Sequence, residues 1–177
     1  VAVSHLELAP LSALAARLPL PDALRAQVDR HEPRGVLTDV AYEWEGPLSR
    51  PTAFRSRGAF HDVGIRAHGA LPGVARLSGA FEASDRAGSL RVSSRETALE
   101  LPQAFFQPIV LDTVSGLVRW EVDASGLNVR VDDFEFANAD AAGKASGTWS
   151  SRPNGPGVVD VGARLSRAKV RRVSAYL

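Results

Sequence analysis

Apolar and polar residues alternate along most of the chain from Gly35 onward. In the run that contains Trp120, Val118 and Trp120 share one parity, whereas Arg119 and Glu121 share the other. Successive side chains of a β-strand point to opposite faces, so a period of two predicts strands with one apolar and one polar face. Glycine, asparagine, aspartate and serine interrupt the runs at intervals of about ten residues, which is typical of antiparallel hairpins.

The alternation assigns the residues of each strand to one of the two faces. Before Trp44, for example, it places Val36 and Val40 on the apolar face and Leu37 and Asp39 on the polar face. We therefore expect one apolar face for the whole sheet. Its candidate lining residues are Val40, Tyr42, Trp44, Phe54, Phe60, Leu77, Phe81, Val114, Val118, Trp120, Val122, Leu127, Val129, Val131, Trp149, Val159 and Val161.

The first 33 residues follow a different pattern. Residues 1–8 alternate as in a short strand, and apolar residues then recur at spacings of three and four on either side of Pro19. Proline ends a helix, so this pattern predicts two short helices in a hairpin. Such short helices are unstable alone, so the hairpin is expected to cover part of the sheet. The expected fold is mainly β (α+β), with an N-terminal strand and helical hairpin over 1–33 and an antiparallel body over 34–177.

Three Ser-Gly pairs mark an internal repeat of strand, polar turn and strand. They are Ser78-Gly79, Ser115-Gly116 and Ser146-Gly147, and each is followed nine or ten residues later by another glycine. A repeated hairpin cannot bury a persistent apolar face by itself. The face must therefore pack into a core or hold an apolar ligand, and the pattern leaves both possibilities open.

Composition and charge exclude several classes of protein. The 21 basic and 20 acidic residues nearly cancel, without the positive excess that is typical of nucleic-acid binding. The absence of cysteine excludes disulfides, thiolate zinc sites and cysteine nucleophiles. No apolar run approaches the roughly 20 residues that span a membrane, and there is no secretory signal. Because the chain starts at Val1 and contains no methionine, we expect a segment of a longer protein.

Few residues indicate catalysis or metal binding. His61-Asp62 and His68 lack an evident third ligand for zinc, and solvated loop histidines are the better interpretation. The acidic stretch from Asp132 to Asp140 lacks the dense alternation of a calcium loop, and its Asn138-Ala139-Asp140 segment favours a turn. The C-terminal basic residues are interpreted as surface charge; they are Arg164, Arg167, Lys169, Arg171 and Arg172.

Known catalytic motifs are absent from the sequence. It contains no G-x-S-x-G, P-loop, G-x-G-x-x-G or H-E-x-x-H pattern. We therefore expect no catalytic residue, no metal ligand and no cofactor, and a protein that is not an enzyme.

Several short motifs occur in a characteristic order along the chain. They are Pro33-Arg34-Gly35-Val36-Leu37, Trp44-Glu45-Gly46, Leu71-Pro72-Gly73-Val74, Leu77-Ser78-Gly79, Gly88-Ser89-Leu90, Leu99-Glu100-Leu101-Pro102, Phe105 to Pro108, Ser115 to Trp120 and Ala137-Asn138-Ala139-Asp140. In their order and spacing they resemble the central region of the YhdP family of AsmA-like proteins, and the resemblance covers nearly the whole chain.

The resemblance implies a location, a fold and a function. It implies a periplasmic segment of a long envelope protein of Gram-negative bacteria, anchored in the inner membrane by an N-terminal helix outside this sequence. It implies a curved, taco-like repeating β-groove with an apolar interior that contacts phospholipid acyl chains and adjoins flanking segments of the same chain. Such proteins are implicated in phospholipid transport and in outer-membrane barrier integrity.

A second hypothesis remains open beside this one. The chain is then a purely structural or protein-docking β-module of an envelope protein, with its apolar face fully buried. A carbohydrate-active enzyme on a β-scaffold is the third and least favoured interpretation, because no pair of carboxylates is singled out for glycoside hydrolysis.

Overall fold

The chain forms one antiparallel sheet of nine strands. The structure is a computed structural model, and it describes residues 1–10, 26, 30–47, 51–68, 72–102, 106–152 and 155–169. The strands are β1 (Ala2–Glu7), β2 (Arg34–Glu45), β3 (Ala53–Ile65), β4 (Gly73–Ser84), β5 (Ala87–Glu100), β6 (Ile109–Asp123), β7 (Gly126–Ala137), β8 (Ala141–Arg152) and β9 (Gly155–Ala168). Each strand pairs with its neighbours in chain order, so the sheet is a meander, curved and open at β1 and β9.

The register of the strands divides the side chains between two faces. Residues directly opposite each other in an antiparallel pair lie on the same face, so a row of partners can be followed across the sheet. One such row is Tyr42, Ser56, Ala83, Gly88, Trp120, Val129, Trp149 and Val159. We call the face that carries this row the apolar face and the opposite one the polar face.

Bulges occur near the middle of most strands. Asp39, Asp62, Arg76, Glu96 and Asp133 have φ angles between 46° and 57°, and they lie where the register of a neighbouring strand pair shifts. A bulge adds one residue to a strand and bends it. These five residues form a line across β2–β5 and β7, which we call the bulge line, and it accounts for the curvature of the sheet.

The bulge at Asp39 corrects one face assignment made from the sequence. Leu37 pairs with Phe60 and therefore lies on the apolar face, whereas Val36 pairs with His61 on the polar face. The expected alternation placed these two residues the other way round. It was wrong because the extra residue of a bulge reverses the parity on its far side.

The best-buried apolar side chains lie close to the bulge line. Phe60 is 4% exposed and Val114 is 3% exposed, although no second layer of secondary structure covers the sheet within the described residues. Val92, Leu111 and Val114 form the buried cluster, and Leu77, Leu90, Ile109, Phe134 and Phe136 pack against it. The core of the described structure is therefore the bent middle of the apolar face.

The structure does not support the helical hairpin expected within residues 1–33. Most of that segment lies outside the described residues, and only residues 8–10, 26 and 30–31 within it have helical geometry. The expected short strand is present as β1, which pairs with β2 and so belongs to the same sheet. Within the described ranges, no helix has the length and apolar character that crossing a membrane requires.

Candidate functional site

The register places every candidate lining residue on the apolar face. The twelve-residue strand β7 contributes three of them at alternate positions, Leu127, Val129 and Val131. Val40 has no direct β3 partner. A Cβ built on Gly58 would lie 3.1 Å from the side chains of both Val40 and Phe81, so Val40 lies on the same face as Phe81. The sequence therefore brings these side chains together on one surface.

Aromatic side chains of the apolar face lie over glycines of neighbouring strands. A Cβ built on Gly88 would overlap the Trp120 ring, and one on Gly116 would lie 2.7 Å from the Phe134 ring. Gly79 has the same relation to Phe60, at 2.7 Å. Two of the repeated Ser-Gly pairs thus place a glycine where an aromatic ring needs the space.

Three aromatic side chains stack near the hairpin that joins β2 to β3. The ring centroids of Tyr42 and Trp44 are 5.7 Å apart, and those of Tyr42 and Phe54 are 5.9 Å apart, with nearly parallel planes. Offset stacking at such distances is favourable beyond the burial of the rings. The stack holds the three rings in place on the apolar face, beside the β2–β3 hairpin.

An apolar cavity of about 150 Å³ opens on the same face between β7 and β9. The apolar side chains that line it are Val129, Val131, Phe134, Ala145, Trp149, Val159 and Val161. Val159 and Val161 are each about two-thirds exposed, so the apolar surface continues into solvent at β9. This end of the face can accept an apolar group without displacing protein atoms.

The polar face carries paired charges. Arg119 contacts Asp132, and Lys144 contacts Glu135 in a bond that raises the pKa of the ammonium group. Arg76 and Glu96, both on the bulge line, form an ion pair of 2.9 Å. Broad depressions of about 650–840 Å³ open on this face, but charges of both signs line them. The arrangement does not select one class of charged ligand.

Two hydroxyl groups on the apolar face were missed by sequence reasoning. Ser94 Oγ donates to Arg76 O at 2.7 Å and accepts from Ser78 N at 3.1 Å, and Thr97 Oγ1 lies 2.8 Å from Ser94 Oγ. The β4–β5 register is interrupted between Ala75 and Gly79, so these hydroxyls satisfy the backbone there. Only the bulge at Arg76 gives them this role, and the residue pattern carries no signal for it.

The candidate metal ligands are engaged elsewhere. His61 Nε2 lies 3.1 Å from Thr38 Oγ1, and the ring of His68 has an edge contact with His31. In the described part of the chain, no three histidine or carboxylate side chains are grouped as metal ligands would be. The acidic residues Asp132 and Glu135 form the ion pairs of the polar face.

The predicted turn after Phe136 is confirmed. Asn138 Oδ1 accepts hydrogen bonds from Asp140 N and Ala141 N, at 3.0 and 2.8 Å, as an asparagine does in a turn. Among the C-terminal basic residues, Arg167 donates to Asn138 O and Lys169 lies 4.0 Å from Asp140. Arg164 lies on the polar face of β9, and Arg171 and Arg172 fall outside the described residues.

Comparison with known proteins identifies the family. The model of the YhdP protein family matches residues 1–177, which is the whole chain. No curated protein and no solved structure matches it. Because the match extends over the full sequence, as the motif order indicated, the chain belongs to the YhdP family.

Proposed function

We propose that this chain is a segment of a periplasmic bridge that carries phospholipid along an apolar β-groove between the inner and outer membranes. The observation that carries the proposal is the continuous apolar face, to which every strand from β2 to β9 except β5 contributes candidate lining residues, while β5 adds Leu90 and Val92. Nine strands spaced by about 4.8 Å give a face roughly 40 Å long. The transport supports the barrier function of the outer membrane.

The physical basis of the proposal is the transfer of acyl chains. Exposing one buried methylene to water costs about 0.8 kcal/mol, so a chain of roughly sixteen carbons costs on the order of 10 kcal/mol. An apolar surface that extends from membrane to membrane removes this barrier, while the headgroup remains in water. The apolar cavity beside Trp149 and the exposed Val161 offer apolar surface to part of such a chain.

The proposed role needs no catalysis and no cofactor. It needs phospholipid acyl chains, the flanking segments of the same polypeptide and contact with both membranes through the parent protein, which is anchored in the inner membrane. Nucleic acid has no part in it.

The buried cluster around Val92 and Val114 favours a second candidate, a structural or protein-docking module with its apolar face fully covered. The exposure of Val159 and Val161 favours the lipid groove instead, because a closed core buries such residues.

Site-specific photocrosslinking in the full-length parent protein separates the two candidates. A benzophenone amino acid replaces Trp120 or Val129 on the apolar face, and Arg119 or Arg130 on the polar face serves as the matched neighbour. The groove predicts phospholipid adducts from the first pair and few from the second. Adducts to protein alone, or lipid adducts mainly from the polar-face positions, contradict the groove.

A further inference from the structure

We infer that the two rims of the apolar face differ, and that the ester and headgroup region of a bound acyl lipid lies along one of them. This inference rests on the proposed function and deepens it. The rim concerned consists of the strand ends at the β2–β3, β4–β5, β6–β7 and β8–β9 hairpins, and we call it the tryptophan rim. The opposite rim consists of the strand ends at the β3–β4, β5–β6 and β7–β8 connections.

All three tryptophans of the chain lie on the tryptophan rim. Trp44 is next to the last residue of β2, while Trp120 and Trp149 lie three residues before the ends of β6 and β8. Tyr42 precedes Trp44 on the same face and pairs with Ser56, whose hydroxyl belongs to the same half of the sheet. The amphipathic aromatic side chains of the described residues are therefore concentrated on one side of the bulge line.

The opposite rim has a different chemistry. Its apolar-face residues near the strand ends are Ile65, Val74, Leu99, Ile109 and Phe136. None of these side chains carries an N–H or O–H group. The polar side chains nearby, Thr97 and Asn138, are buried and donate to Arg76 O and Val110 O, so this rim offers mainly hydrocarbon to a ligand in the described part of the sheet.

The tryptophan rim presents hydrogen-bond donors. The Tyr42 hydroxyl and the indole N–H groups of Trp44 and Trp120 bond no partner among the described residues, and none of them is a fully buried unsatisfied atom. Each is therefore reachable from solvent or by a ligand. Tryptophan and tyrosine rings prefer a boundary where one end is apolar and the other is wet.

The rings are also held in place. Trp120 lies across Gly88, and a Cβ built on Gly157 would lie 2.7 Å from Trp149 Nε1, so both indoles lie against the backbone of a neighbouring strand. Trp44 stacks with Tyr42. The fixed donors of Tyr42, Trp44 and Trp120 beside an apolar surface match the ester carbonyl oxygens at the head of an acyl chain and the phosphate oxygens beyond the glycerol, whereas the apolar side chains of the opposite rim match methylene groups.

Tryptophan quenching by spin-labelled lipid tests the inference on the 177-residue chain. Three single-tryptophan variants are made by replacing the other two tryptophans with phenylalanine, and a fourth variant carries Phe136→Trp in a tryptophan-free background. Each is mixed with phosphatidylcholine that bears a nitroxide either on the headgroup or near the methyl end of one acyl chain. Circular dichroism verifies that every variant is folded, and a tyrosine replacement is used wherever phenylalanine disrupts folding.

We expect the headgroup label to quench Trp44, Trp120 and Trp149 more than the chain-end label, by roughly twofold or more, because tryptophan rings at an apolar–water boundary lie at the level of the headgroups. The indole introduced at position 136 in the fourth variant should show the reverse order. Equal quenching by the two labels, or the same order at position 136, overturns the assignment of the rim. No quenching by either label in folded protein overturns the proposed lipid binding as well, so the two failures are distinguishable.

Discussion

At the scale of single residues, glycine controls where the aromatic rings of the apolar face lie. Gly88 leaves space for Trp120, and Gly116 leaves space for Phe134, on the neighbouring strand. A methyl group at either position would occupy the ring's place, so the ring has to move. Elsewhere, as at Gly162 in β9, an added Cβ meets nothing within 4 Å.

Replacing Gly88 by alanine should therefore destabilise the fold by about 1–3 kcal/mol, the usual cost of overpacking. The displaced Trp120 ring should also change the intrinsic fluorescence of the native state. Gly162→Ala is the matched control and should be neutral or stabilising by up to about 1 kcal/mol, because alanine restricts the unfolded chain. Urea denaturation measures both effects, and equal midpoints for the two variants would contradict the packing argument.

A second residue-scale prediction concerns Asp123 in the β6–β7 turn. Ser125 donates from both its hydroxyl and its backbone N–H to Asp123 Oδ1, and these bonds lower the pKa of the carboxyl group from its usual 3.8. A lowered folded-state pKa contributes stability above the unfolded-state pKa, and this contribution is lost as the pH falls through the folded-state value.

In the Ser125→Ala variant, the pKa of Asp123 should rise towards its usual value, as followed by NMR titration of the carboxyl carbon. The variant should have a lower free energy of unfolding than the unsubstituted 177-residue chain at neutral pH. The difference should be full above pH 3.8 and should disappear as the pH falls through the lowered folded-state pKa of Asp123, where both proteins lose the carboxylate. An unchanged titration would show that the hydroxyl does not stabilise the charge.

At the scale of the elements, hydroxyl groups replace backbone pairing where the β4–β5 ladder is interrupted. Ser94 is buried and bonds both Ser78 N and Arg76 O, and Thr97 is only 2% exposed beside it. A buried backbone group that loses its partner costs about 1–3 kcal/mol. The bulge of β4 thus depends on side chains supplied by β5.

We therefore expect Ser94→Ala to cost about 1–3 kcal/mol in urea denaturation, because it leaves Ser78 N and Arg76 O without this partner. Ser93→Ala is the control, since Ser93 is exposed on the polar face and should change stability by less than about 0.5 kcal/mol. An equal loss of unfolding free energy in both variants would contradict the proposed hydrogen-bonding role of Ser94. Hydrogen exchange at Ser78 N, faster in the first variant only, gives a local readout.

At the scale of the whole molecule, the sheet has an exposed edge with an apolar side. Within the described residues β9 pairs only with β8, and Val161 is 65% exposed on the apolar face. A long edge strand with exposed apolar side chains is a site of association between sheets. Charge on such a strand opposes that association.

Val161→Lys should therefore reduce the self-association of the 177-residue chain in sedimentation velocity over a concentration series. Its stability should change by less than about 0.5 kcal/mol, because the side chain is already largely in water. Thr148→Lys, on the polar face of β8, is the control and should leave the association unchanged. Equal effects of the two substitutions would show that net charge, and not the apolar edge strand, controls the association.

The strands and their faces follow from the sequence because alternation is a local property. From Leu127 to Val131, and again from Val159 to Val161, every apolar residue lies on the face that its parity predicted. The turn at Asn138 was predictable for the same reason, since its side chain bonds the backbone within three residues. The helical hairpin is the part of the expected fold that the described residues do not support.

The bulges lay beyond the reach of the pattern. Asp39 and Asp62 belong to a residue type that tolerates positive φ, but so do many turn residues, and Arg76 and Glu96 give no such signal. The alternation therefore assigned Val36 and Leu37 to the wrong faces, and it did not predict the hydrogen bonds of Ser94 and Thr97. A bulge is fixed by pairing with the next strand, which lies many residues away.

Local alternation in the residue order is enough to predict a repetitive antiparallel sheet with one apolar face, because side-chain direction in a strand alternates with every residue. Its family also followed from the order of its motifs. The bend along the bulge line and the common rim of the three tryptophans became evident only from the folded chain. Those features depend on register between strands, which short-range patterns do not encode.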